Sequence, residues 1–227
     1  MAARGVGDQF VFIALRLLAL ETAVAAVLFG SAGRIDLPWF WSIIGIHTVL
    51  LSFGLWRIDP ELRKERFKPL PGGKDRLLRL IAMPLFLIDL AVAGLDVGRF
   101  HWSGNVPIWV HAIGLSSYTC GLALAIWAMI ENCFFSPVVR IQEERGHHLV
   151  STGPYRLVRH PGYIGMILAI TFGALALGSY WAMLPLLVYV ALIIRRTAIE
   201  DEFLIENLQG YAEFVEKVRY RLVPGFW

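Results

Sequence analysis

The sequence predicts an all-α integral membrane protein of about six transmembrane helices, ending in a helical hairpin and an amphipathic tail helix. Three observations lead there. Of 227 residues, 57% are hydrophobic and 17% are charged, against ~25% charged in an average soluble domain; mean hydropathy is +0.60. So few charges cannot coat a water-soluble globule of that composition. An ordinary cytosolic enzyme, a disordered chain and a nucleic-acid-binding arm are therefore excluded. Apolar runs of about 20 residues recur, the length that ~30 Å of hydrocarbon demands at 1.5 Å per residue. The charges, finally, are gathered between these runs rather than spread along them.

The elements follow in order. The first run, residues 10–30, is too long for the apolar core of a signal peptide and carries Arg16 and Glu21, so it is read as a retained helix. Further spans are expected at 38–56, 77–97 and 107–130. Two shorter ones, 162–177 and 181–194, are separated by Gly178-Ser179-Tyr180 and form a hairpin. Two regions result: four spans in residues 1–130, and residues 131–227 with the hairpin and tail. Between the second and third spans lie Arg57, Arg63, Lys64, Arg66, Lys68, Lys74, Arg76 and Arg79. Lys and Arg mark the cytoplasmic side, so this loop is placed inside, where it also meets anionic headgroups. The loops at 31–37 and 98–106, with one Arg each, face out. Six crossings then leave both termini, and any site in the polar sequence, on the cytoplasmic face. Arg16, Glu21, Asp89 and Asp96 are costly in lipid and are expected to pair between helices. His47 and His111 are expected in the core. Cys120 and Cys133 supply no disulfide framework and are read as packing residues.

Chemistry concentrates after residue 130. The segment GPYRLVRHPGYIG (153–165) places Pro161 in the first turn of a helix, where its missing N–H costs nothing. His160 then sits near the N-cap, and the free backbone N–H groups beyond Pro161 attract anions. Arg156 and Arg159 add positive charge. Farther on, RRTAIEDEFL (195–204) sets Arg196 and Glu200 four apart, on one face of the emerging helix. An amphipathic stripe, Phe203, Leu204, Leu208, Tyr211 and Phe214, follows. It either lies along the interface or folds back over the site. The aromatic end, 220–227, has the composition of an interfacial anchor.

Together with the tail GYAEF and VRYRLVPGFW, these segments resemble the isoprenylcysteine carboxyl methyltransferase family and its bacterial relatives, with which phospholipid N-methyltransferases share the RHPxYxG core. The resemblance starts at about residue 131; the earlier helices match only as generic spans. It implies a methyltransferase that uses S-adenosyl-L-methionine, releases S-adenosyl-L-homocysteine, and sits in a bacterial inner membrane. Carried over by motif, Gln142, His147, His148, Leu149, Val150, Tyr155, His160, Pro161, Gly162 and Tyr163 look like cofactor contacts. Glu200 stands at the family's cofactor-binding glutamate. Arg196 stands where the methyl acceptor is positioned. Two features depart from the pattern: the paired-Glu motif is Glu200-Asp201 here, and Gln142 is closer to His147 than in eukaryotic members. No G-x-G-x-x-G follows a strand pattern, in keeping with a helical rather than a Rossmann site.

The chemistry suits these residues. The cofactor's carboxylate can rest on the helix end at 161–163, its amino group or ribose hydroxyls on Glu200, and its sulfonium against Tyr155 or Tyr163. A carboxylate acceptor is already ionised and needs only positioning, by Arg196. An amine needs a base, and none is evident. The acceptor is expected to be lipophilic or prenylated, with the bilayer as partner and neither nucleic acid nor metal involved, since no ligand spacing completes a zinc site around His147 and His148. Phospholipid N-methylation and small-thiol S-methylation remain alternatives. So does an NADPH-dependent sterol-type reductase, against which Gly162 and Met166 speak. Arg196 and Glu200 can equally be a surface pair, and His160 a simple cap.

Overall fold

A computed structural model describes residues 2–67 and 77–227. These form eight α-helices and no strand among the described residues: α1 (Ala2–Ala32), α2 (Pro38–Arg57), α3 (Pro60–Phe67), α4 (Leu77–Leu95), α5 (Ile108–Glu131), α6 (Pro161–Leu177), α7 (Met183–Asn207) and α8 (Tyr211–Lys217). Lys68, Lys74, Arg76 and the side chain of Arg79 lie outside the described residues. Four stretches are long and apolar enough to cross a membrane: Ile13–Ala32, Pro38–Arg57, Leu80–Phe100 and Ile108–Glu131, with α6 a shorter apolar helix. Large apolar side chains such as Leu15, Leu18, Val49, Phe53, Met83 and Ile113 point outward from them. Several apolar helices that expose rather than bury their hydrophobic faces suggest an integral membrane protein.

Proline opens α2 and α6, where its fixed φ suits the first turn. Gly178, at φ +90°, ends α6, its N–H bonding back to Ala174 and Leu175. The next helix starts five residues later. α5 and α6 lie backbone against backbone. A Cβ on Gly114, Gly121 or Gly165 would collide with the main chain of the facing helix, the small-residue contact that membrane helices use to approach closely. α1 is met in the same way by α4 at Gly94 and by the turn that follows α4 at Gly98. The main core joins Leu28, Phe40, Leu90, Ala93, Ala176 and Leu186.

Three of the four intramembrane charges sit at contacts between elements; Asp89 departs from the expected pairing, its Oδ1 buried without a hydrogen-bond partner among the described residues. His47 Nδ1 lies 2.9 Å from Glu21 Oε1, joining α2 to α1. Asp96, in the π-helical turn Asp96–Phe100 that extends α4, accepts from Ser179 between α6 and α7 at 2.6 Å. The Arg16 guanidinium covers the Phe67 ring. His111 reaches Ala176 O at 2.8 Å and stacks on Trp39.

α7 runs to Asn207, so the apolar stretch and the Arg196–Asp201 segment are one helix, as expected of a last span that emerges past residue 194. One boundary differs from the sequence expectation: the amphipathic stripe is not one helix. The chain breaks at Leu208, turns through Gly210 at φ +81°, and continues as the seven-residue α8. That left-handed turn, cheap only for glycine, folds Leu208, Tyr211 and Phe214 back onto Ala128 and Tyr155.

Candidate active site

Asp201, fully buried on α7, gathers the site. Arg159 donates to both its oxygens, from Nε and Nη2, at 2.8 Å each. His160 Nε2 lies 3.1 Å away. The Tyr211 hydroxyl donates at 2.9 Å and Arg221 Nε at 2.8 Å. Burial alone would raise this carboxyl's pKa; the hydrogen bonds from His160 and Arg159 outweigh it and hold it well below the usual carboxylate range. Arg159 Nη1 also donates to Val218 O and Arg219 O. The backbone N–H groups of Arg159 and His160 bond to Tyr220 O and Arg221 O at 3.0 Å. The tail is thereby laced to the start of α6.

Beside this hub opens a cleft of about 650 Å³. His147, His148, Leu149 and Val150 form one wall; Tyr155, Arg159 and His160 form the floor before α6. Glu200 and Leu204 come from α7, and Leu208, Tyr211 and Phe214 from the returning tail. His147 stacks on Phe134 with ring centroids 4.4 Å apart. Its Nδ1 accepts the Gln142 N–H at 3.3 Å, which leaves the proton on Nε2. Burial first, then the charges of His148 and Arg145, lower its pKa to about 4, so the ring is neutral at physiological pH.

A second pocket of about 470 Å³ lies behind the first. It is lined by Arg66, Leu78, Ala82, Tyr163, Tyr189 and Arg196, and shares Phe135 and Ser136 with the cleft. Tyr163 bridges the two: its hydroxyl donates to Glu200 Oε2 and accepts from Arg196 Nε at 2.7 Å. Arg196 and Glu200 are themselves 3.7 Å apart. Among the described residues Arg66 reaches a carbonyl, Phe135 O at 3.3 Å, rather than a carboxylate. Burial pulls its pKa down, and Arg196 adds to the effect.

The residues singled out by sequence thus fall into three groups. His147, His148, Leu149, Val150, Tyr155, His160 and Glu200 line the cleft. Tyr163 and Arg196 line the second pocket. Gln142, Pro161 and Gly162 line neither. Gln142 is fully buried, donating to Phe134 O at 2.7 Å and accepting from Arg145, so it braces the loop that presents His147. Pro161 and Gly162 are buried in the first turn of α6, where a Cβ on Gly162 would come within 2.6 Å of the Phe135 ring.

Sequence reasoning gave Asp201 and Arg66 no site role. Asp201 was one acid beside another; on a helix consecutive residues point about 100° apart, which is the signal that it and Glu200 serve different surroundings. By sequence, Arg66 belongs to the headgroup-facing basic loop. It is turned inward because α3 is clasped to the segment after α5: buried Glu65 accepts from Ser136 Oγ at 2.9 Å and from Arg140 Nη2 at 3.1 Å, and Arg145 pairs with Asp59 at 3.0 Å. Among the described residues no group of three or more His, Cys, Asp or Glu side chains is arranged to hold a metal ion.

The family model described as phospholipid methyltransferase matches residues 109–210, from the first turn of α5 to the turn before α8. The cobalt-zinc-cadmium resistance protein CzcN of Cupriavidus metallidurans is 30% identical over 168 residues, which cover 69% of this chain and 70% of the relative. The family model's stretch takes in Arg159, His160 and Asp201 of the hub, the His147–Val150 wall and the Tyr163–Glu200–Arg196 link, but not Tyr211, Phe214 or Arg221; by its likeness to CzcN over two thirds of both chains, the chain belongs to the CzcN-related family.

Proposed function

We propose that this protein is an S-adenosylmethionine-dependent methyltransferase that takes its cofactor in the cleft and the acidic head of a lipophilic acceptor in the second pocket, at the cytoplasmic face of the membrane. One observation carries the reading. The cleft and the pocket share the Phe135–Ser136 wall, with Glu200 on one side, Arg196 on the other, and Tyr163 hydrogen-bonded to both.

The donor set of the cleft fits the cofactor. Leu149, Val150 and Leu204 offer apolar surface for an adenine, and Tyr155, Tyr211 and Phe214 offer aromatic surface near a cation. Glu200 is the carboxylate available for an amino group or ribose hydroxyls. S-adenosylmethionine, when bound, supplies an electrophilic methyl group on sulfur. The chain's contribution is alignment, since an in-line displacement gains most of its rate from holding the two reactants in place. Arg196 and Arg66 put two guanidiniums in an otherwise mostly apolar pocket, which selects an ionised carboxylate. Such an acceptor needs no base, in line with carboxyl O-methylation of an isoprenylcysteine-like molecule. Phospholipid N-methylation is the second reading, favoured by the description of the matching family model. It requires an amine to lose a proton between two cations.

Purified protein should bind S-adenosylhomocysteine with micromolar affinity by calorimetry, and Glu200→Ala should abolish that binding. Unchanged binding in the variant would sink the assignment. Arg196→Ala should keep the binding and lose transfer of labelled methyl to membrane extracts. A base-labile methyl ester in the product supports carboxyl methylation; a methylated headgroup amine overturns it.

A further inference from the structure

A third chamber lies among α1, α2, α4, α5 and α6. It shares no residue with the cleft and only Met166 with the second pocket. Its wall is largely apolar, with Ile44, Phe86, Leu90 and Leu122 typical of it, and is interrupted by His47, Asp89 and Tyr118. Asp89 is 5% exposed, and its Oδ1 is buried without a hydrogen-bond partner among the described residues. The adjacent Glu21 is in charge contact with His47, although neither Glu21 oxygen makes a hydrogen bond there. The imidazole of His47 thus answers Glu21, while no partner among the described residues answers Asp89 Oδ1. An acid within spanning helices is expensive unless something answers it, and a buried polar atom left without a partner costs its full desolvation. A wall this apolar around one unanswered carboxyl is complementary to an apolar body with a single cationic, hydrogen-donating head.

We infer that this chamber binds a lipophilic primary amine, its ammonium group seated on Asp89 and its alkyl body against α2, α4 and α5. The inference is independent of the methyl-transfer reading, because the chamber and the cleft have separate walls. The ammonium donates to Asp89 Oδ1, with Tyr118 and His47 as flanking polar groups. The hydrocarbon packs against Ile44, Leu90 and Leu122, and such a ligand reaches the chamber from the bilayer.

The test uses full-length protein in lipid nanodiscs and tritiated dodecylamine, with empty nanodiscs subtracted. Saturable binding of one amine per chain is expected. It should fall at least tenfold in Asp89→Asn, and dodecanol at equal concentration should not compete. Leu122→Trp, which fills the chamber and leaves the carboxyl in place, should also lose binding, and both variants should keep the helical circular dichroism of the parent. Uptake no greater than in empty nanodiscs overturns the inference. So does binding unchanged in Asp89→Asn, or displacement by dodecanol as effective as by unlabelled amine.

Discussion

Asp201 accepts hydrogen bonds from two guanidiniums and a phenol, lies 3.1 Å from an imidazole nitrogen, and does so with no exposure to solvent. Removing its charge strands Arg159 and Arg221. Asp201→Asn should therefore cost ~3–5 kcal/mol, the usual price of breaking a buried pair, read as a lowered melting temperature. The carboxyl's folded pKa lies below its unfolded value of ~3.9. Its stabilisation is thus fully present above that value and is lost as pH falls further. His147 has the same sign at a higher pH. Its folded pKa of about 4 is below the unfolded ~6.5, so folding favours the neutral ring. That contribution is complete above pH ~6.5 and erodes as pH drops toward 4. His147→Asn should remove this limb from the plot of melting temperature against pH, and an unchanged limb would count against the buried, Nδ1-accepting ring. Residue identities such as Glu200, Arg196 and His160 were legible from their motif. The division of labour between adjacent acids was not, because it depends on which residues the tail delivers to α7.

At the scale of elements, the α5–α6 pair sets where Phe135 and Tyr163 meet. Gly165 lies against the backbone of Ala125, so that a Cβ would come within 2.5 Å of its nitrogen. Backbone cannot step aside as a side chain can. Gly165→Leu should part the helices, lower the melting temperature by the equivalent of at least ~1–3 kcal/mol, and weaken S-adenosylhomocysteine binding with it. Gly173→Ala, on the same helix, meets only the Tyr118 ring at 3.3 Å and should be much milder; equal damage from both would refute a backbone contact as the cause. Four of the six expected spans were readable as helices long enough to cross a membrane, because an apolar run of about 20 residues has one physical use. The tail was readable only as an amphipathic stripe. Its break at Gly210 and its return over the cleft follow from the turn and from the apolar surface of Tyr155 and Ala128, which lie far away in sequence.

For the molecule as a whole, the proposed cytoplasmic orientation of the cleft rests on the skew of Lys and Arg toward one side. In a background with Cys120→Ser and Cys133→Ser, single cysteines at Asn105 and Ser151 should label oppositely with a membrane-impermeant maleimide. Asn105→Cys should react from outside intact cells and Ser151→Cys only in inverted vesicles; the reverse pattern would invert the topology and the side from which cofactor arrives. By itself the sequence determined the helical membrane class, the approximate spans, and the residues around the RHPGY and RRTAIEDE segments. These depend on local quantities: run length, hydropathy, charge and motif spacing. Only the tertiary structure decided that Arg66 turns inward, that Gln142 braces rather than lines the cleft, and that Asp201 ties the tail to α6. Only it also placed Asp89 in the wall of a largely apolar chamber. Each of those depends on contacts between residues distant in the chain, where burial and the demand of every buried polar group for a partner choose among arrangements that sequence spacing leaves equivalent.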